Sequence, residues 1–430
     1  MNNYISKSNY AMLICILFIY IFYPPIVPYT NLLLVLFSAY SRLKCSGNEY
    51  YIICKNSNIN LFIRNCSLVL VYGFTFPLLY SAICGSIVDF PHYIHLFNKI
   101  AVVMVSVLFS GAFIIYKTYK CNADFIQFLK CIFFAGVVES ILCLLAFMFP
   151  TVKEFFVLLM TKYGGMTLTD DLFAENRMFG FAGSLVDNFG YGVGIISGIA
   201  LYYGIVYNAK YIFISIFIII SALLNARTGV AIYCLSFPLT IIFSISRIEF
   251  KSLLKIASIF LLAPSILAVG LSMMANNEGT MMWWLMGVDS VISFIDGTSD
   301  SSNAGAMIIF YSKNFWELPA DDFELLFGTG HSRYLAEGFS HTDCGYVNDI
   351  WFVGILGVIV LYGTIIYLAY SVYSNARNSL EKFIPIFVGV SFFLFNIKAS
   401  ALGNSPGSLV TMLLLCGLSF YQKNIRERRP

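Results

Sequence analysis

Two stretches of this chain limit what it can fold into. Tyr211 to Leu224 and Val353 to Ala369 contain no charged residue at all. They are unbroken apolar runs, without the period-two alternation of a barrel strand. In lipid every backbone polar group must be satisfied within the protein, so such runs cross a membrane as helices. Composition agrees. Of 430 residues, 59% are hydrophobic and 11% charged, against roughly 25% charged in a soluble domain. A chain so poor in charge cannot coat a soluble globule, and it is too apolar to remain disordered. The net charge of +3 gives no reason to expect a nucleic-acid partner.

The expected fold is therefore all-α: a polytopic integral membrane protein, read as one membrane domain over 1–430. A span needs about 20 apolar residues. Spans are expected near 9–24, 26–41, 63–83, 98–117, 125–149, 184–207, 210–225, 229–246, 252–274, 346–373, 380–399 and 404–421, about twelve transmembrane helices in all. The first run ends in Pro24-Pro25 with no small-residue cleavage site, so it reads as a retained span. With the N-terminus inside, 18 of the 26 Lys and Arg fall on the cytoplasmic side and 8 on the other. That bias places both termini in the cytoplasm.

Two outer loops are long, 151–183 and 275–345. The larger holds Trp283, Trp284 and Trp316 and the apolar run Met281 to Met286. Tryptophan-rich apolar segments beside a membrane lie in its interface, so this loop is expected to be partly helical and to act as a lid. The 11 cysteines show no CxxC pair and no framework spacing. A Cys84–Cys344 bridge is not expected, and neither is a metal or cofactor. No internal repeat is evident, whereas many transporters are built from inverted repeats.

Outer-side cations are the exceptions to the charge bias. Arg227 sits in Asn225-Ala226-Arg227-Thr228-Gly229, between two spans with almost no loop. The preceding span covers only about 22 Å at 1.5 Å per residue, which sets Arg227 at or below the interface. Guanidinium pairs with phosphate oxygens in bidentate fashion, so Arg227 is an anion-site candidate; the alternative is an interface anchor that snorkels to water. Arg177 precedes a glycine-rich span and has the same two readings, phosphate binding or a structural pair with Glu175 or Asp187. Arg333 and Lys398 are further candidates. His341, in His341-Thr342-Asp343-Cys344-Gly345-Tyr346, is suited to take a proton near neutral pH. It is equally suited to cap the following helix or to bond Asp343. Glu139 lies inside an apolar run, either as a functional acid or as a hydrogen-bonding group between helices.

Taken as a set, these residues resemble the Wzy-type O-antigen polymerases. The resemblance rests on Leu326-Phe327-Gly328-Thr329-Gly330, on His341-Thr342-Asp343-Cys344-Gly345-Tyr346-Val347 and on Gly354-Ile355-Leu356-Gly357. It extends to the short Arg227 turn and to Arg177 before Gly180, about a quarter of the chain. The O-antigen ligases share the general plan. The resemblance implies a glycosyltransferase of the C-type membrane superfamily in the bacterial inner membrane. Such an enzyme joins undecaprenyl-pyrophosphate-linked repeat units at the periplasmic face without metal, with membrane lipid around it and a polysaccharide chain-length regulator as partner. The family often carries an Arg on a helix of the large loop. Ser302 to Met307 lacks one, and Arg333 is the candidate substitute.

The mechanism expected on this basis has His341 remove the acceptor hydroxyl proton, oriented by Asp343. Arg177, Arg227, Arg333 and Lys398 bind the departing pyrophosphate, and attack opposite the leaving group inverts the anomeric centre. Two other readings stay open. One is an O-antigen ligase, which transfers glycan to lipid A-core. The other is a flippase or transporter of the lipid-linked oligosaccharide, which forms no bond.

Overall fold

The structure is a computed structural model. It describes residues 6–26, 30–44, 57–84, 101–163, 180–183, 186–225, 227–244, 313–330, 342–401 and 405–427. In chain order the helices are α1 (Lys7–Phe22), α2 (Thr30–Lys44), α3 (Ser57–Cys84), α4 (Ala101–Lys120), α5 (Phe125–Met148), α6 (Pro150–Tyr163), α7 (Val186–Val206), α8 (Lys210–Asn225), α9 (Arg227–Ser244), the short α10 (Asp322–Phe327), α11 (Gly345–Ser374), α12 (Ser379–Asn396) and α13 (Pro406–Glu427). No strand occurs among the described residues.

Among the described residues, five helices are long and apolar enough to cross a membrane: α4, α5, α7 from Asn188, α11 and α12. Shorter apolar helices form α1, α8, most of α9 and part of α3. The outward faces are apolar as well. Leu68, Val71, Phe213, Ile242, Ile359 and Ile366 are all exposed. Water makes such a surface costly, at about 25 cal/mol per Å², and lipid does not. The chain is a multi-pass helical membrane protein.

Helix α7 forms the centre. Its glycines replace side chains with neighbouring backbone. A Cβ on Gly194 would lie 2.7 Å from the Gly229 oxygen of α9, and one on Gly192 would lie 2.7 Å from Pro406 of α13. Close approach through small residues is how helices associate where lipid removes the hydrophobic drive. Aromatic stacks close the remaining gaps: Tyr191 on Phe395 at 4.3 Å and Tyr202 on Phe383 at 4.0 Å.

The helix boundaries follow local chemistry. Asp124 and Gln127 form a capping box at the start of α5, which satisfies two otherwise orphaned N–H groups. Asn378 caps α12 by accepting from the Glu381 N–H at 2.9 Å. The first hairpin departs from expectation. Its second helix begins at Thr30, about four residues later than 26. The Pro24-Pro25 turn is used up first: Ile26 N–H bonds the Pro24 oxygen at 2.8 Å, and the Thr30 hydroxyl bonds the same oxygen at 2.7 Å. The segment read as the 151–183 loop opens with helix α6. Its Pro150 stands at the first helical position, where a missing N–H costs nothing.

The largest departure is inside α11. The run 346–373 reads as one span, but Gly354 has φ 67° and ψ 175°. Helix α11 is therefore a short arm before Gly354 and a longer arm after it. The expected span at 252–274 lies outside the described residues.

Candidate functional site

The ends of α1, α5, α7, α8, α9, α11, α12 and α13 that meet one another form one end of the bundle. Gly183 N–H bonds the Phe22 oxygen at 2.8 Å. Gly229 packs on the Gly190 backbone, and Gly345 on the Ala399 oxygen. Of the six sequence-predicted site residues, Asp343 and Lys398 are described at this end, together with the backbone of Arg227. His341, Arg177 and Arg333 lie outside the described residues, as do Met281 to Met286 with their two tryptophans. Arg227 is the first residue of α9, and its side chain is outside them as well.

Asp343 and Lys398 are brought together. The Lys398 ammonium donates to Asp343 Oδ2 at 2.7 Å, with both side chains substantially exposed. Each thus neutralises the other. The pair ties the segment that enters α11 to the turn between α12 and α13.

Two motifs that read separately in the sequence pack into one unit. At the Gly354 break the carbonyls of Trp351 and Phe352 accept from outside the helix. Thr329 N–H bonds the Trp351 oxygen at 2.7 Å, its hydroxyl bonds the same oxygen at 2.8 Å, and Gly330 N–H bonds the Phe352 oxygen at 3.1 Å. The backbones touch at Gly328, whose φ is +85°; a Cβ there would lie 2.6 Å from the Gly354 nitrogen. Leu326-Phe327-Gly328-Thr329-Gly330 and Gly354 are thus the two halves of a structural seal. Helix α10, capped by the Asp321 side chain, holds this segment against α3 through Phe323 and Phe327 on Phe76. Burial, and then the neighbouring Asp321 carboxylate, raise Glu324 above the ordinary carboxylate range.

The break also brings in a residue that sequence reading missed. Asp349 Oδ2 accepts from the Tyr362 hydroxyl at 2.7 Å, and its Oδ1 accepts from Ser400 Oγ at 3.1 Å. Asp349 and Tyr362 are 13 positions apart, about 20 Å along a straight helix. They meet because the short arm folds back on the long one. An acid inside an apolar run was the available signal, the same one that had singled out Glu139.

The short arm is fixed at its start. Asn348 Nδ2 donates to the oxygens of Thr342 and Cys344, at 2.9 and 3.1 Å. The Thr342 hydroxyl donates to the Phe315 oxygen at 3.0 Å, and Trp351 Nε1 donates to the Glu317 oxygen at 3.2 Å. Cys344 is a free, fully buried thiol. Burial raises its pKa above the ordinary thiol value.

Glu139 of α5 is fully buried. Gly180 leans on it so closely that a Cβ would strike Glu139 Oε1. The N–H groups of Phe181 and Ala182 face the carboxyl, and the Cys143 thiol lies 3.9 Å away. Its Oε2 has no hydrogen-bond partner. Glu139 therefore holds the chain that leads from the Arg177 loop into α7. Asn188, Asn225 and Asn396 each keep one buried polar atom without a hydrogen-bond partner at the same end.

Compared with family models, with curated proteins and with solved structures, the chain matches none.

Proposed function

We propose that this chain is a Wzy-type O-antigen polymerase. On this reading it is a twelve-helix inner-membrane glycosyltransferase of the C-type superfamily with both termini in the cytoplasm. It joins undecaprenyl-pyrophosphate-linked oligosaccharide units at the periplasmic face, and a chain-length regulator is its expected partner. One observation carries the reading. The described parts of the segments that resemble this family converge on one end of the bundle, where Asp343, Lys398, Asp349 and Ser400 also meet. Orphaned Asn225 and Asn396 atoms there are groups that sugar hydroxyls or amides can satisfy, and unsatisfied buried polar atoms otherwise cost about 1–3 kcal/mol each.

The chemistry follows from the residue types. His341 accepts the proton of the acceptor hydroxyl as its oxygen attacks the anomeric carbon, and the bond from that carbon to the pyrophosphate breaks. Arg227 and Arg177, with Arg333, meet the developing negative charge, and fixed cations in a poorly hydrated site do so without reorganising. Lys398 has a modified part. Its ammonium is already engaged by Asp343, so it turns to a phosphate only by releasing that carboxylate.

The broken α11 is the argument for a flippase, because transporters carry interrupted helices at their binding sites. Here the carbonyls of Trp351 and Phe352 accept from Thr329 and Gly330, which favours a sealed joint over a substrate site. Deleting the gene and running lipopolysaccharide on a gel decides among the readings. Core with a single repeat unit supports the polymerase. Core with no repeat overturns it: lipid-linked polymer at the outer face then selects a ligase, and its absence selects transport. His341→Ala and Arg227→Ala are expected to abolish polymer while membrane insertion persists; normal polymer in either removes that residue's role.

A further inference from the structure

Asp349 is a carboxylate in the short arm of α11, and both of its oxygens are occupied by hydroxyl donors from elsewhere. Ser400 belongs to the turn that carries Lys398, and Tyr362 to the long arm. The same turn meets the start of the short arm at three more places. Lys398 binds Asp343, Cys344 Sγ lies 3.9 Å from the Asn396 oxygen, and Gly345 packs on the Ala399 oxygen. Tyr346 adds a bond from its hydroxyl to the Phe393 oxygen at 2.7 Å. A nine-residue helix arm cannot hold its own position, since isolated helices below about 12 residues are marginal. Its place has to be set by such ties.

We infer that Asp349 is a positioning residue: its carboxylate clasps the short arm of α11 to the Lys398 turn and to the long arm, and so holds Asp343 in register. A hydrogen bond to each of Ser400 and Tyr362, not the charge, is what this role needs. An asparagine fits it. The Asn oxygen accepts from Ser400, and its amide donates to the Tyr362 oxygen. A general base at this position would need the carboxylate itself.

The activity arm of the test rests on the polymerase reading; the structural arm does not. Asp349→Ala, Asp349→Asn, Ser400→Ala and Tyr362→Phe are expressed in a strain deleted for the gene. Polymer is read on gels, and Cys344 is read in intact membranes by maleimide labelling resolved by peptide mass spectrometry. Wild-type Cys344 is protected, being fully buried. Asp349→Ala is expected to expose it and to lower polymer by about 100-fold, the scale of an ångström-sized misplacement. Asp349→Asn is expected to restore both. If Asp349→Ala does not accumulate, Ser400→Ala and Tyr362→Phe carry the test, each removing one donor and raising labelling. Protected Cys344 with normal polymer in those variants overturns the clasp. An Asp349→Asn variant as inactive as Ala, with Cys344 still protected, also overturns it, because charge would then be what matters. Cys344 exposed by Asp349→Ala in a chain whose deletion leaves lipopolysaccharide unchanged keeps the clasp and removes the polymerase reading.

Discussion

Helices α7 and α11 look alike in the sequence and behave in opposite ways. Both are long, apolar and rich in glycine. In α7 the glycines keep the helix continuous and bring neighbours close: Gly194 onto Gly229, Gly192 onto Pro406, and Gly198 onto Phe387. In α11 one glycine breaks the helix. Gly354 takes φ 67°, a region open to glycine at little cost and strained for other residues. The first use builds a rigid centre. The second builds a joint that folds nine residues back over the helix they began. Glycine content does not separate the two uses, because the difference lies in what each glycine faces. Gly354 faces Gly328, itself at positive φ, and two backbones without side chains can meet there.

Substitution at the joint should give the largest effect. Gly354→Ala meets both an unfavourable φ and the Leu326 backbone, which its Cβ would strike. The expected loss is about 3 kcal/mol or more, seen as a collapse of the apparent Tm in detergent or as failure to accumulate in the membrane. A variant of normal Tm would mean that α11 is a straight span and that its likeness to α7 is real.

The rigid centre should respond less, by overpacking alone. Gly198→Ala places a methyl against the Phe387 ring, and Gly194→Ala places one against Gly229. Losses of about 1–3 kcal/mol are expected for each, with membrane insertion retained. If these variants lose as much as Gly354→Ala, close approach and helix breaking are not separable here.

This contrast also marks what could be read from the sequence. Apolar runs place helices because lipid leaves the backbone no other option, and ten of the twelve expected spans have a helix close to their expected limits. The expected 26–41 helix starts late, because a proline turn needs its own residues, and 252–274 lies outside the described residues. The break in α11 was hidden because every residue around Gly354 is as apolar as a span requires. Its partner segment, 326–330, is distant in sequence, and only their packing reveals that the two motifs form one seal. At the site, residue chemistry pointed to Asp343 and Lys398 as separate actors. Their pairing at 2.7 Å is a long-range contact that charge patterning cannot supply. Asp349 reads in the sequence as one acid in an apolar run, and its partners Tyr362 and Ser400 emerge only from the fold-back of the short arm.

The Asp343–Lys398 pair extends the comparison to surface chemistry. Both side chains are exposed, and such pairs contribute about 0–1 kcal/mol. Lys398→Met is therefore expected to lower the apparent Tm by a few degrees at most. Polymer should fall by more than that stability change explains if the ammonium serves the site. Loss of stability on the scale of Gly354→Ala would instead make the pair a main support of the short arm and would shift part of the clasp away from Asp349.

Gly363 gives the smallest effect and the sharpest control. It lies in the long arm of α11, nine residues beyond the break, and a Cβ there would meet nothing within 4 Å. It neither admits a neighbour, as in α7, nor turns the chain, as Gly354 does. Alanine at such a position keeps the helical backbone and reduces the freedom of the unfolded chain. Gly363→Ala should leave polymer unchanged and raise stability by less than about 1 kcal/mol. A clear loss would mean that an unseen partner packs on that face, and the division of these glycines into three uses would have to be redrawn with α11 in contact on both sides.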